Sequence, residues 1–471
     1  MTVSPCTADF LICNKELYNF LLAAQQYCLE NNCQRIANIS LAIDPVDPLT
    51  IFANLASVNQ INFYWQNPSQ KEAIAAIDSI EKLEFTGEER FKESEEFINQ
   101  CRKKILCFPR DNSSQSSPVF FCSFGFFDRN INQNYPFAEA NIFLPRWQIS
   151  YNHGKCTLIA NIIINARADI HKIIQKIWVK IQEITNLKYS GEINILDSNK
   201  YIKKAVTSPS KFKLSVLSAL NTINSNYLNK IVLANALDVI SNNNFDLFQS
   251  LKNLRYLHPN CYIFSTSNGR GQNFIGASPE RLISIRKQQL ITDALAGSAP
   301  RGQTPAEDAA SADRLISSQK ERHEHSLVID FITQSLSELG LSPEILKPRL
   351  RRLSNIQHLW TPIQATIPQN VHPLQIVAQL HPTPAVAGTA PDLACKEIRR
   401  YENFERGLYA APLGWIDLLG NSDFVVGIRS ALIDGERARL YAGAGIVSGS
   451  DPDKEIAEIQ LKLQALLKAL V

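Results

Sequence analysis

Lys230 and Glu280 are the residues whose types and settings best suit proton-transfer chemistry. Lys230 opens the run Lys-Ile-Val-Leu-Ala, whose apolar residues predict a buried strand, and Glu280 stands before a second predicted strand at residues 281–285. A free lysine has a pKa of about 10.4, so it accepts a proton only where burial or a neighbouring cation favours its neutral form. Taken singly, each residue also fits a solvated strand end. The two residues are therefore candidates for a proton acceptor and a proton donor, and the residues alone leave both interpretations open.

Two glutamates far apart in the sequence are candidates for sharing one metal ion. Glu324 lies in a long helix predicted over residues 313–339, and Glu458 lies in a helix predicted over residues 455–470. Mg²⁺ prefers oxygen ligands and commonly binds through one or two carboxylates. Both glutamates also fit solvated helix faces. The two histidines that flank Glu324 are weak evidence for a transition metal, because no cysteine or third histidine accompanies them.

The glycine-rich run at residues 443–449 has to be weighed as a phosphate-binding loop. A dinucleotide-binding fingerprint needs a helix that begins at the glycines and an acidic residue about 20 positions further on. Here the predicted helix begins later, at Ser450-Asp451-Pro452. The sequence therefore does not indicate a nucleotide enzyme.

Turn signals and periodicity place these residues on a framework of strands and helices. Hairpin signals predict paired strands at residues 147–152 and 155–164, and Ser208-Pro209 marks a helix start. Turn residues near the C-terminus predict a three-stranded antiparallel meander. Its strands are predicted at residues 414–419, 424–433 and 438–447. Polar stretches at residues 112–117 and 190–204 are predicted loops that are too short to be interdomain linkers.

Composition bounds the class of protein. The 471 residues are 45% hydrophobic and 20% charged with a net charge of +3, which is typical of a globular protein and too weakly basic for a nucleic-acid partner. The ten cysteines include no Cys-x-x-Cys pair, so neither a disulfide framework nor a zinc site is indicated, and a cytoplasmic location is expected. The N-terminal residues lack a signal-peptide or transit-peptide pattern, and no apolar run reaches the roughly 20 residues of a membrane span.

Nine ordered segments match the motifs of one enzyme family. They are Lys-Ile-Val-Leu-Ala at 230, Phe-Ile-Gly-Ala-Ser-Pro-Glu-Arg-Leu at 274, Asp-Ala-Leu-Ala-Gly-Ser at 293, Arg-His-Glu-His at 322, Gln-His-Leu-Trp-Thr-Pro at 357, His-Pro-Thr-Pro-Ala-Val-Ala-Gly at 381, Arg-Gly-Leu-Tyr-Ala-Ala-Pro-Leu-Gly-Trp at 406, Tyr-Ala-Gly-Ala-Gly-Ile-Val at 441 and Ser-Asp-Pro-Asp-Lys-Glu-Ile-Ala-Glu-Ile-Gln-Leu-Lys at 450. In this order they resemble the chorismate-utilising enzymes, and most closely the isochorismate synthases of plants and cyanobacteria.

The resemblance implies an α+β fold, a large single domain of two layered, mostly antiparallel β-sheets flanked by helices. Residues 1–200 would form an N-terminal structural part of that unit, and residues 201–471 the chorismate-binding catalytic region. Chorismate is the expected substrate and Mg²⁺ the expected cofactor. We expect a monomer or weak dimer with no nucleic-acid, membrane or obligatory glutaminase partner.

The resemblance also assigns roles to the reacting residues. Lys230 would deprotonate a water that attacks C2 of chorismate, the double bonds would shift, and Glu280 would protonate the departing C4 hydroxyl. Glu324 and Glu458 would hold Mg²⁺, which orients the ring and offsets the charge of its carboxylate.

Further positions match the family's substrate-binding residues. They are Gly297, Ser298, His358, Ala385, Tyr409, Arg429, Gly443 and Lys462. Arg429 and Lys462 would hold the pyruvyl carboxylate, and Gly443 would let backbone N–H groups approach the ligand. From the residues alone, His358 also fits a hydrogen-bonded histidine of the core.

Water rather than ammonia is the expected nucleophile. Aminating relatives generally lack the lysine that matches Lys230, and aminodeoxychorismate synthases often carry a nucleophilic lysine where this chain has Ala296. The resemblance therefore implies an isochorismate synthase, an isomerase that supplies phylloquinone or menaquinone synthesis. Two alternatives stay open: a salicylate synthase, which goes on to eliminate pyruvate, and a catalytically inactive chorismate-binding protein.

Overall fold

The computed structural model describes residues 6–108, 117–132, 134–187 and 201–470. These ranges contain twenty strands: β1 (Arg35–Ile43), β2 (Asn62–Asn67), β3 (Glu72–Phe85), β4 (Ile105–Phe108), β5 (Val119–Phe124), β6 (Ala140–Asn152), β7 (Lys155–Ile164), β8 (Tyr201–Ala205), β9 (Lys230–Ser241), β10 (Tyr262–Ser267), β11 (Gln272–Ser278), β12 (Arg281–Arg286), β13 (Gln289–Pro300), β14 (Glu344–Ile345), β15 (Arg349–Arg352), β16 (Ile356–Thr366), β17 (Pro412–Asp417), β18 (Ser422–Val426), β19 (Ser430–Asp434) and β20 (Arg437–Val447).

The same described ranges contain eleven α-helices: α1 (Cys6–Glu30), α2 (Pro48–Leu55), α3 (Arg90–Lys104), α4 (Ile170–Asn186), α5 (Pro209–Asn224), α6 (Leu247–Leu257), α7 (Pro305–Ser317), α8 (Gln319–Glu338), α9 (Pro373–Leu380), α10 (Pro391–Tyr401) and α11 (Pro452–Leu470).

Hydrogen bonding joins the described strands into one branched sheet, in which every pair is antiparallel except β1 with β4. The branch point is β6, because its first half pairs with β5 and its second half with β7. One wing runs from β6 through β3, β2, β10, β11, β19 and β20 to β9 and β8. The other wing runs from β6 through β5, β17, β18 and β12 to β13 and β16.

The two wings pack against each other as layers around one hydrophobic core. Leu233 and Phe264 from the first wing belong to the same buried cluster as Ile363 and Val425 from the second. Helix α11 packs on β20, and α8 packs on β13, so helices flank both wings. The predicted α+β fold of layered, mostly antiparallel sheets is confirmed. Among the described helices, none combines the length and the apolar character needed to cross a membrane.

Several local predictions are confirmed. The predicted hairpin is formed by β6 and β7, which turn at residues 153–154. Ser208 precedes α5, and its side chain accepts a hydrogen bond from the Lys211 N–H, which satisfies one of the free donors at the helix start. The C-terminal helix is present as α11 and begins at Pro452, slightly before the predicted start.

The single helix predicted over residues 313–339 is wrong, because the structure has two helices, α7 and α8, that meet at Ser318. Ser318 has extended backbone angles, and its side chain accepts a hydrogen bond from the Glu321 N–H. It therefore ends one helix and caps the next. Glu321 then lies in the first turn of α8, with Glu324 one turn further on.

The predicted C-terminal meander is also wrong. Residues 424–433 are interrupted around Gly427 and belong to two strands, β18 and β19. β18 pairs with β17 and β12, whereas β19 pairs with β11 and β20, so the chain crosses from one wing to the other here. A Cβ at position 427 would lie 2.7 Å from the Leu408 carbonyl oxygen, which explains the glycine at this crossing.

The two predicted loops fall mostly outside the described residues. Residues 112–116 and 190–200 lie outside them altogether, and Ser117 is in irregular structure. Residues 201–204 are part of β8, so the loop prediction is wrong for them.

Candidate active site

One cavity brings together all twelve residues that the sequence singled out. Both wings of the sheet contribute, as do helices α8 and α11. The residues are Lys230 from β9, Glu280 before β12, Gly297 and Ser298 from β13, Glu324 from α8, His358 from β16, Ala385 after α9, Tyr409 before β17, Arg429 before β19, Gly443 from β20, and Glu458 and Lys462 from α11. Residues up to 232 positions apart in sequence, Lys230 and Lys462, therefore meet at one site, which lies between the layers.

Lys230 is buried at the start of β9 and forms an ion pair with Glu324. Its side chain is 1% exposed, and its Nζ lies 2.7 Å from Glu324 Oε1. Burial acts to raise the pKa of Glu324, but the charge and hydrogen bond of Lys230, together with the charges of Lys320 and Lys462, outweigh burial, and the net effect is a lowered pKa. A solvated strand-end lysine is therefore excluded. Gly445 makes room for the pair, because a Cβ there would lie 2.9 Å from Glu324 Oε1 and 3.1 Å from Lys230 Cε.

Glu280 is also buried, and it lines the same cavity from the other wing of the sheet. Burial raises the pKa of its carboxyl group to about 8, although the charge of Lys230 partly offsets that effect. The Glu280 N–H donates to Ser278 Oγ at 3.2 Å, and the Val426 N–H donates to the Glu280 carbonyl oxygen at 3.1 Å, so its backbone is held between β11 and β18. A carboxyl group that is protonated at neutral pH can donate a proton, which a surface glutamate cannot.

Besides Glu280, four glutamates line the cavity, two more than the predicted metal pair: Glu321 and Glu324 of α8, and Glu455 and Glu458 of α11. Burial and the charge of Glu324 raise the pKa of Glu321, and burial and the charge of Glu458 raise the pKa of Glu455 to about 7. Sequence reasoning did not identify Glu321 and Glu455 as residues of the site. The signal that it missed is the repeated Glu-x-x-Glu spacing, which places both glutamates of each pair on one helix face.

Lysines supply the positive charge opposite these carboxylates. Besides the Lys230 pair, Lys462 Nζ lies 2.7 Å from Glu458 Oε1 and Lys320 Nζ lies 3.7 Å from Glu455 Oε1. In the described ranges, no three His, Cys, Asp or Glu side chains are grouped closely enough to enclose a metal ion as they stand. The donor set nevertheless fits Mg²⁺, because it consists of carboxylate oxygens whose repulsion a hard cation would relieve.

Arg429 supplies a cation that has no carboxylate partner among the described residues. Its Nη1 is buried and makes no hydrogen bond in the described part of the chain, and burial lowers the pKa of its guanidinium. Its φ of 50° is left-handed, which is costly for a residue with a Cβ. A guanidinium that lines a cavity without a carboxylate partner is suited to bind a carboxylate of a ligand. The Nζ of Lys462 also donates to the Gly443 carbonyl oxygen, at 2.8 Å.

A β-bulge at Gly297 places Ser298 between Glu321 and His358. Gly297 has a φ of 75°, and the register of β13 against β16 shifts beside it. The Ser298 N–H donates to Glu321 Oε2 at 3.0 Å, and Ser298 Oγ lies 2.9 Å from His358 Nδ1. Burial and the charge of Arg429 hold the pKa of His358 well below its usual range, so its imidazole is neutral. His358 is thus both a hydrogen-bonded core histidine and a wall of the cavity.

Aromatic rings complete the wall. Tyr409 stacks on Tyr441 with ring centroids 5.1 Å apart. A Cβ at position 443 would lie 2.8 Å from the Tyr409 hydroxyl, so Gly443 makes room for this ring. Tyr441 and Lys320 also line the cavity, and sequence reasoning did not identify them.

Comparisons with known proteins identify the family of this chain. Residues 23–471 match the model of a family described as chorismate binding enzymes. The chain is 31% identical to the salicylate biosynthesis isochorismate synthase of Pseudomonas aeruginosa, over 92% of this chain and 89% of the relative. It is 29% identical to the isochorismate synthase MenF of Bacillus subtilis, over 96% of each chain.

Among solved structures, the chain is similar to MenF, the menaquinone-specific isochorismate synthase of Escherichia coli. The TM-score is 0.76 at 27% sequence identity, and the match covers 96% of this chain and all of the other. The sequence matches and the structural match thus both cover nearly the whole chain. The chain belongs to the chorismate-binding enzyme family.

Proposed function

We propose that this protein is an isochorismate synthase, which converts chorismate to isochorismate by adding water at C2 with loss of the C4 hydroxyl. The observation that carries the proposal is the buried pair of proton-transfer groups, Lys230 and Glu280, on opposite wings of one cavity. The names of the relatives support it, since three of those compared are isochorismate synthases. Residues 201–471 would supply the site and residues 1–200 would support it.

In the proposed reaction, Lys230 in its neutral form takes a proton from the water that attacks C2. The double bonds shift, and Glu280 donates its proton to the C4 oxygen, which leaves as water. One water is added at C2 and one water leaves from C4, so the product has the same composition as the substrate and the overall change is an isomerisation. A cation bound by Glu324 would compete with Lys230 for that carboxylate.

Mg²⁺ is the proposed cofactor, held by Glu324 and Glu458 with Glu321 and Glu455 close by. When bound, it would offset the negative charge of the ring carboxylate of chorismate. Arg429 and Lys462 would bind the second carboxylate, that of the pyruvyl group. The substrate would then lie between the acid and the base.

Removal of one carboxylate should weaken metal binding directly. Glu458→Gln is expected to lower the affinity for Mg²⁺ by at least about tenfold, because an amide replaces a charged oxygen ligand. The measurement is calorimetric titration of the protein with Mg²⁺, together with the rise in melting temperature that saturating Mg²⁺ produces. Glu344→Gln, which changes an exposed glutamate of β14, is the matched control and should bind Mg²⁺ like the wild type. Unchanged binding by Glu458→Gln would exclude Glu458 as a ligand.

The test of the proposed function is product analysis. Purified protein is incubated with chorismate, with and without Mg²⁺, and with ammonia in one arm, and the products are separated by chromatography. We expect isochorismate alone, formed reversibly and only with Mg²⁺, and no aminated product. Salicylate with pyruvate would make the protein a salicylate synthase, an aminated product would contradict the assignment of water as nucleophile, and absence of turnover would favour an inactive chorismate-binding protein.

A further inference from the structure

The segment from His381 to Thr389, which follows α9, lies along the start of β9. The Val232 N–H donates to the Ala387 carbonyl oxygen at 2.7 Å, and the Thr389 N–H donates to the Lys230 carbonyl oxygen at 3.0 Å. On its other edge, β9 pairs with β20, with Lys230 opposite Val447. The first residue of β9 is therefore held from both sides, although the ends of strands are normally the places where pairing frays.

The Thr389 side chain adds a second contact to the same residue. Thr389 Oγ1 accepts hydrogen bonds from the Asn229 N–H at 2.9 Å and from the Lys230 N–H at 3.2 Å. Both main-chain groups of Lys230 are thus bound to Thr389. This fixes the Cα of Lys230 and the direction in which its long side chain leaves the strand.

Two further residues hold the segment in place. Gly388 has a φ of 144°, and a Cβ there would lie 2.3 Å from the Lys230 carbonyl oxygen, so only glycine allows this approach. Arg406 is fully buried, and its Nη1 donates to the Val386 carbonyl oxygen at 2.8 Å while its Nη2 donates to the Val232 carbonyl oxygen at 2.9 Å. Arg406 therefore connects the segment and the strand directly.

From these contacts we propose that Thr389 is a positioning residue for Lys230: its hydroxyl and its N–H fix the backbone from which the proton acceptor reaches the reacting water. The inference rests on the proposed function, in which Lys230 accepts that proton. It explains why the run at 381–389 is rich in small and rigid residues although only Ala385 and Val386 of it line the cavity. Displacement of a reacting group by about 1 Å can lower a rate by about 100-fold, so the effect should appear in kcat.

The test compares Thr389→Val, which has the same shape without the hydroxyl, with Thr389→Ser, which keeps the hydroxyl. Thr389→Val is expected to lower kcat by about 10- to 100-fold, with the KM for chorismate within about twofold of the wild type. Thr389→Ser should restore most of kcat. Thr185→Val, the same change on an exposed residue of α4, is the control and should behave like the wild type. Loss of kcat in both Thr389 variants, or an equal change in KM, would indicate a general structural defect and overturn the proposal.

A double variant separates this inference from the proposed function. If Thr389 acts through Lys230, Lys230→Ala/Thr389→Val should be no slower than Lys230→Ala alone. A further loss in the double variant would overturn the positioning role. If Lys230→Ala keeps wild-type turnover, the role of Lys230 itself fails. If Lys230→Ala is inactive but Thr389→Val turns over chorismate normally, only the positioning role fails.

Discussion

Lys230→Ala should yield a folded protein whose turnover of chorismate is about 10²- to 10⁴-fold slower than that of the wild type. Lys230 is the buried basic group that faces the proposed proton donor across the cavity, and alanine cannot accept a proton. Turnover is measured as isochorismate formed per enzyme at saturating chorismate and Mg²⁺. Near-wild-type turnover would refute the role of Lys230 as the proton acceptor.

Two controls distinguish loss of the proton acceptor from loss of folding stability. Removing one partner of a buried ion pair can destabilise a protein by about 3–5 kcal/mol, because the remaining charge is unpaired. The melting temperature is therefore measured with Mg²⁺ present, where a cation can compensate Glu324. Lys230→Met fills the space of the aliphatic side chain and should be equally slow, whereas Lys203→Ala, at an exposed position of β8, should be fully active.

The sequence predicted the site better than it predicted the connections between elements. Lys230 and Glu280 could be placed, because each adjoins a short apolar run that folds as a strand, β9 and β12. The break at Ser318 could not, because apolar residues at helical spacing occur on both sides of it and only the cap reveals the new start. The crossing at Gly427 was missed for a similar reason, since residues 424–433 are mostly apolar, as one buried strand would be.

Residues whose roles depend on distant partners were also missed. Glu321 and Glu455 were not identified from the sequence, because only the structure shows that α8 and α11 reach the same cavity. Thr389 lies 159 residues from Lys230 in the sequence, and no local pattern marks its hydroxyl as an acceptor for that N–H. Such contacts are set by tertiary packing, which periodicity and spacing do not encode.

Glu280→Gln is the second substitution for which we expect a large loss of rate, again about 10²- to 10⁴-fold in kcat. Glutamine keeps the size of the side chain and can donate a hydrogen bond, but it cannot transfer a proton to the leaving hydroxyl. The KM for chorismate should change little, because the proposed carboxylate anchors are Arg429 and Lys462. If Glu280→Gln keeps the kcat of the wild type, another group must protonate the C4 oxygen.

The pH dependence gives an independent test of the same residue. Because burial raises the pKa of Glu280 to about 8, the proton donor is present below that pH and is lost as the pH rises through it. The rate should therefore fall on the alkaline side, measured as kcat from about pH 6 to about pH 10. The residual activity of Glu280→Gln should lack this alkaline fall, since glutamine does not titrate.

Glu280→Gln, which should lower kcat, should raise the stability of the folded protein at alkaline pH. The folded-state pKa of Glu280 lies above the value of 4.5 for an unburied glutamate, so the unfolded chain loses this proton more readily and the folded protein is destabilised as the pH rises from about 4.5 towards 8. Glutamine removes that linkage, and Glu280→Gln should therefore melt at a higher temperature than the wild type above pH 8, measured by thermal unfolding at several pH values. A variant that is slower yet more stable at alkaline pH would identify Glu280 as a group retained for chemistry, because packing alone would favour the neutral side chain.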